Sequence, residues 1–66
     1  MRIFIHHGAS PELAVRQALD TLLRAGIYSV DGGATINDRA FILVDAAHVP
    51  EAIAALSKAG MRAAIG

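Results

Sequence analysis

The stretch Leu22-Leu23-Arg24-Ala25-Gly26-Ile27 returns later in the chain as Leu56-Ser57-Lys58-Ala59-Gly60-Met61. Each copy is typical of a helix end, with a basic residue in the last turn, then a glycine, then the start of an apolar strand. The basic side chain suits the negative end of the helix dipole, and glycine readily adopts the left-handed conformation that ends many helices. We call these two helix-to-strand junctions the corners. They predict two strand–helix–strand halves in one short chain.

The residues before each corner predict an amphipathic helix. Ser10-Pro11-Glu12 predicts the first helix start, because serine caps free N–H groups, proline fits the first helical position and an acidic residue suits the positive helix end. This helix is predicted to end at Ala25. The second helix is predicted from Pro50 to Ala59. The buried stripe of the first helix is predicted to consist of Val15, Ala18, Leu19 and Leu22, with Leu13 and Leu23 at a boundary or an interface.

The remaining segments predict strands. Residues 2–7 and 40–44 are apolar on both faces, as expected for central strands, and residues 61–65 form the last strand. A further strand is predicted to begin at Ile27. Asp31-Gly32-Gly33 interrupts it as a bulge or a turn, and pairing resumes at residues 34–36. Asn37-Asp38 is predicted to be a two-residue hairpin turn.

The resulting order is β-α-β-β-α-β, over residues 1–66 as a single domain. Right-handed crossovers place both helices on one face of a four-stranded antiparallel sheet, which is an α+β, ferredoxin-like fold. The other face stays uncovered. Phe4 must point there, with either Phe41 and Leu43 or their neighbours on the same strand. An open apolar face or edge is a candidate dimer surface, and we predict Phe4, Phe41 and Leu43 as its interface residues.

Composition also favours a homodimer. The chain has 66 residues, of which 55% are hydrophobic and 18% are charged, which is more apolar than a typical domain. A chain of this length buries only about 60% of its unfolded surface, so some apolar residues must remain exposed. There is no cysteine, which excludes disulfides and thiolate metal sites.

Charge and hydropathy argue against several classes of partner. The formal net charge is zero, no basic stripe is present, and the aromatic residues are not interleaved with Arg or Lys along the chain. We therefore predict no nucleic-acid binding. No apolar run approaches the roughly 18 residues of a membrane span, and the N-terminus does not resemble a signal peptide. The prediction is a cytoplasmic domain without membrane contact.

The chain resembles the ACT domain, a small ligand-binding regulatory module found with many enzymes of amino-acid metabolism. The resemblance covers nearly the whole chain. It lies in the apolar pattern of the first helix with Ala25-Gly26-Ile27 after it, in residues 39–45 followed by residues 49–56, and in Ala59-Gly60-Met61. It implies a ferredoxin-like fold and the binding of a small metabolite, with an amino acid as first candidate, at a subunit interface.

The ligand-binding region departs from the family pattern. The family usually has an acidic residue, a variable residue and then Pro-Gly at the start of the first helix, and this loop and helix start hold the amino acid. Here Ser10-Pro11-Glu12-Leu13 occupies the region, and the glycine after the proline is absent. Tyr28 replaces a frequent asparagine early in strand two. The resemblance therefore implies a degenerate or differently selective site.

On this basis the ligand is expected at the loop before the first helix and at the helix start, where free N–H groups attract anions. Strand two, of this chain or of the partner chain, completes the predicted pocket. Each residue also has a purely structural interpretation: a helix cap, a polar strand end or a bulge. The predicted ligand-binding residues are His6, His7, Gly8, Ala9, Ser10, Glu12, Tyr28 and Asp31.

No metal, cofactor or catalytic residue is predicted. His6 and His7 are adjacent in a strand and point to opposite faces, and His48 is expected at the surface near the second helix start. Three histidines without cysteine give no standard zinc spacing. No nucleophile–base pair and no glycine-rich nucleotide loop occurs.

The sequence thus predicts a non-catalytic regulatory module that binds a small metabolite as a homodimer. An effector partner, such as a metabolic enzyme, would carry the output. The alternative is a ligand-free oligomerisation or protein-interaction domain of the same fold. Two further protein classes with this topology require residues that the first loop of this chain does not have. An acylphosphatase-like enzyme needs an arginine in that loop, and a metal chaperone needs a cysteine pair there.

Overall fold

A computed structural model describes residues 1–6 and 10–66 of the chain. Over these residues the elements are β1 (Arg2–His6), α1 (Pro11–Arg24), β2 (Val30–Ile36), β3 (Arg39–Val44), a short 3₁₀ helix (Ala46–His48), α2 (Val49–Lys58) and β4 (Arg62–Ile65). The strands form one antiparallel sheet in the order β2-β3-β1-β4. This order confirms the predicted ferredoxin-like α+β fold, with the first and third strands in the centre.

The strand register assigns each side chain to a face of the sheet. Phe4 pairs with Phe41 on one side and with Ala64 on the other. Because side chains alternate along a strand, these residues share the face that the helices leave uncovered, while Ile3 and Ile42 point toward the helices.

The core lies between the sheet and both helices. Ile3, Leu22, Ile42 and Leu56 are fully buried. Of the predicted helix stripe, Leu19 is half-buried and the other members are buried. Every buried residue in the described ranges is apolar, as expected when uncompensated burial of polar groups is costly.

The repeated corners have the same geometry in both halves. The Ile27 N–H donates to the Leu22 carbonyl at 2.9 Å, and the Met61 N–H donates to the Leu56 carbonyl at 3.0 Å. Gly26 and Gly60 have φ values of 81° and 86°. This is the Schellman arrangement, in which the residue after the glycine bonds back across the last helical turn. The predicted helix stops are therefore confirmed.

Strand two begins later than predicted, at Val30 rather than Ile27. The Ile27 N–H is already bonded to α1, so the chain needs a short link before it reaches the sheet. The predicted bulge is present, with Asp31 as the extra residue between Val30 and Gly32. The predicted Asn37-Asp38 turn is also confirmed, with φ values of 50° and 61°.

The second helix begins slightly earlier than predicted, at Val49, and ends at Lys58. The preceding 3₁₀ turn was not predicted. Asp45 begins this turn, and its carboxylate accepts a hydrogen bond from the Ala47 N–H at 3.4 Å.

Candidate functional site

The predicted ligand residues lie at opposite ends of the sheet. β1 and β2 both pair antiparallel with β3, so they run in the same direction. His6 ends β1 and Ser10 caps α1, whereas Tyr28 and Asp31 lie at the start of β2, level with the start of β1. At about 3.3 Å per residue, these levels are roughly 13 Å apart along the strands. One copy of the chain does not bring the predicted set together.

The first group surrounds the start of α1. The Leu13 N–H donates to Ser10 Oγ at 3.4 Å, which confirms the predicted cap. Glu12 and His6 are both exposed. The other predicted members of this group, His7, Gly8 and Ala9, lie outside the described residues.

A hollow of about 280 Å³ lies between the first turns of α1 and the second half of β2. Glu12 and Arg16 line it together, since residues four apart on a helix share a face. Across the described ranges, ion-pair geometry is found only between Arg24 and Asp20, at 3.1 Å. The remaining lining residues of this hollow are Val15, Gly33, Ala34 and Thr35.

Arg16 was not among the predicted site residues, because it lies off the predicted buried stripe of α1. The spacing from Glu12 to Arg16 was the available signal. Gly33 allows α1 to approach β2 here, because a Cβ at this position would lie 2.9 Å from Val15 Cγ1 of α1.

A second hollow, of about 300 Å³, lies at the start of β2, between that strand and the C-terminal half of α1. Its lining is mainly apolar. Tyr28 is 75% exposed and Leu23 is 58% exposed. The full lining is Leu19, Leu23, Ile27, Tyr28, Val30 and Gly32. We call the two hollows along α1 and β2 together the α1–β2 groove; the hollow at one end is charged and the hollow at the other is apolar.

Tyr28 also lines a hollow of about 470 Å³ on its other side, with Glu51 and His48. His48 is the N-cap residue of α2, near the position predicted for it, but its side chain makes no capping bond. Within the described ranges, His48 Nδ1 and Ser29 Oγ are buried without a hydrogen-bond partner. Since both atoms are covered by protein, they do not offer a ligand an open contact.

The predicted dimer residues share the uncovered face of the sheet. The rings of Phe4 and Phe41 are 5.8 Å apart and tilted by 57°, and Leu43 is 40% exposed. The predicted placement of these side chains on one face is correct.

The described ranges contain no group of three or more His, Asp or Glu residues that could hold a metal ion. Neither helix in these ranges has the length and apolar character needed to cross a bilayer. Comparison of the chain with protein-family models, curated proteins and solved structures gives no match.

Proposed function

We propose that the chain is a non-catalytic regulatory module that binds a free amino acid within a homodimer. The observation that carries the proposal is the α1–β2 groove, with Glu12 and Arg16 at one end and an apolar hollow beside Tyr28 at the other. The resemblance to the ACT domain is consistent with it.

The edge strand β2 is the surface proposed for the dimer. It is seven residues long and, within the described residues, pairs only with β3, so its outer N–H and C=O groups can accept a second strand. Homodimers are usually two-fold symmetric. A two-fold axis across this edge pairs the strands antiparallel and sets the start of one β2 beside the end of the other.

This pairing unites the two ends of the groove. The apolar hollow of one protomer comes beside the Glu12–Arg16 end of its partner. A zwitterionic amino acid then has a carboxylate for its ammonium group, a guanidinium for its carboxylate and an apolar surface for its side chain. Charge-assisted hydrogen bonds of this kind are among the stronger ones in proteins.

The uncovered sheet face is a less favourable dimer surface than the sequence alone indicates. Arg2, Arg39 and Arg62 share it with the two phenylalanines, as the register places them. A face-to-face dimer would bring the guanidinium groups of both copies into one interface, and buried charge without a partner is costly. We therefore place the dimer at the β2 edge.

Ligand binding between protomers would stabilise the dimer, because only the assembled form holds the complete site. The ligand concentration then controls the dimer population. An effector partner that recognises the dimer would convert this change into regulation.

Sedimentation velocity and thermal melts with each of the common amino acids test the proposal. We expect a subset of amino acids to raise both the melting temperature and the dimer fraction. Glu12→Gln and Arg16→Gln should remove that response without changing the fold. Asp20→Asn and Arg24→Gln are matched controls, because they alter another acid–base pair with the same spacing on α1 and should keep the response.

Two results would overturn the proposal. If the chain stays monomeric in the presence of every amino acid, the proposed site between protomers cannot form. If the chain forms a dimer whose melting temperature no amino acid changes, and the Glu12→Gln variant is equally stable, the chain is the ligand-free oligomerisation domain instead. The N-acetylated form of an active amino acid adds a chemical control, since it lacks the ammonium group and should not bind.

A further inference from the structure

The uncovered face of the sheet has an aromatic centre and a cationic border. Phe4 and Phe41 are directly paired on the central strands, and both are partly exposed. The small residues Ala34 and Ala64 continue the same row onto the outer strands. Gly66 lies against the Phe4 ring, because a Cβ added at Gly66 would collide with two of its ring carbons.

Arginines lie on both sides of this row. Arg2 Cζ is 5.7 Å from the Phe4 ring centroid and 5.8 Å from that of Phe41, and Arg39 Cζ is 4.2 Å from the Phe4 centroid. Arg62 pairs with His6 at the end of β1. The guanidinium groups of Arg2 and Arg39 therefore lie beside the aromatic pair, and the register assigns Arg62 to the same face.

These arginines have no anionic partner in the described part of the chain. The one ion pair found there joins Arg24 and Asp20 on α1. None of the paired strand positions on the uncovered face is Asp or Glu, and the nearest described acidic strand residue is Asp31, the unpaired bulge residue near the start of β2. Although the chain as a whole is neutral, its charges are segregated, and this face is cationic.

We infer that the uncovered sheet face binds single-stranded nucleic acid. Exposed aromatic rings stack unpaired bases, and guanidinium groups bind phosphates and also stack on bases. Sheets that present aromatics on their central strands offer adjacent rings to successive unpaired bases. Phe4 and Phe41 would take the bases, and Arg2, Arg39 and Arg62 would take the backbone.

The sequence alone predicted no nucleic-acid binding, and the folded sheet shows the physical reason for the difference. That prediction considered the spacing of aromatic and basic residues along the chain. Antiparallel pairing brings residues that are distant in sequence to adjacent positions on one face, so Arg39 meets Phe4 only in the folded sheet. A second copy of the chain fits this face less well, because it presents the same unneutralised arginines.

Three phosphate contacts give a defined salt dependence. Single strands release counterions with a slope of log K against log salt of about −0.7 per contact, which is about −2 for three arginines. Binding should therefore be weak at physiological salt and readily measurable at low salt.

Fluorescence anisotropy of the whole chain with labelled oligo(U), oligo(dT) and a mixed-sequence duplex tests the inference. We expect saturable binding of the single strands, weaker binding of the duplex and a slope near −2. Phe4→Leu and Phe41→Leu keep the apolar volume but remove the stacking surface, and each should weaken binding roughly five-fold or more.

Arg2→Gln and Arg39→Gln provide a second test if the phenylalanine variants fail to fold. Each should lower the magnitude of the salt slope by about 0.7. Arg24→Gln removes an arginine of α1 and should leave both affinity and slope unchanged. Circular dichroism melts check that every variant is folded.

The inference is overturned if the wild-type chain does not bind single strands at low salt, or if it binds the duplex equally well. Unchanged binding in folded Phe4→Leu and Phe41→Leu variants also contradicts it. Self-association that is lost in Phe4→Glu would show that a second copy occupies the face. Glu12→Gln should not affect these titrations, so this result and that of the amino-acid screen are independent.

Discussion

Gly26 and Gly60 adopt the same left-handed conformation at opposite ends of the sheet, with φ values of 81° and 86°. Each follows a helix whose last turn is closed by the same pair of backbone hydrogen bonds. No atom lies within 4 Å of a Cβ added at either position, so only the backbone conformation demands glycine.

Gly26→Ala and Gly60→Ala should each destabilise the fold by about 1 kcal/mol, because strain of about 1–2 kcal/mol is partly offset by a stiffer unfolded chain. The corners are far apart, so the double variant should lose the sum of the single losses. Urea unfolding monitored by circular dichroism measures this. Gly26→Asn should lose less than Gly26→Ala, since asparagine tolerates this conformation. A clear departure from additivity would contradict the independence of the corners.

The corners and the hairpin turn show what local sequence can predict. Glycine after a basic residue, or Asn-Asp between apolar strands, restricts the backbone within a few residues. Both features are therefore visible without the rest of the fold. The start of β2 is different, because Ile27 looks like a strand residue but uses its N–H to close α1.

The surfaces were harder to predict, because each is assembled from distant segments. Arg16 has no functional meaning until α1 packs beside β2 across Gly33. In the same way, Arg39 and Phe4 meet only through strand pairing. Sequence patterns predict which face of an element is apolar, but the register decides which charges surround it.

Gly33→Ala should destabilise the fold by about 1–3 kcal/mol through overpacking. The added Cβ would lie 2.7 Å from the Phe41 carbonyl oxygen, and backbone cannot move aside as a flexible side chain can. Ala34→Ser on the same strand is the control, because residue 34 is exposed. Chemical denaturation compares the two variants. Equal stability of Gly33→Ala and the wild type would contradict the close packing of β3 and α1 around residue 33.

Asp38→Gly should stabilise the hairpin. Both turn residues have positive φ values, at 50° for Asn37 and 61° for Asp38, and Asn-Gly is preferred in such turns. Relief of strain should exceed the added flexibility of the unfolded chain, for a net gain of about 0.5 kcal/mol. The thermal midpoint should rise. Asp20→Gly, in the interior of α1, should lower it, so a fall in both variants would contradict the turn geometry.

The variants Leu22→Ala and Leu23→Ala compare the stability cost of a core substitution with that of a substitution at the proposed dimer edge. Leu22 is fully buried, whereas Leu23 is 58% exposed and lines the α1–β2 groove. Leu22→Ala should cost about 2–5 kcal/mol at any protein concentration, enough to unfold a marginal domain. Leu23→Ala should cost less than about 0.5 kcal/mol in dilute solution. At concentrations where the dimer forms, its partner would cover Leu23, so the cost should increase with concentration. Denaturant melts over a protein dilution series measure both effects. The cost of Leu23→Ala could instead stay constant over protein concentrations at which sedimentation shows dimerisation. That result would place the dimer interface away from the β2 edge.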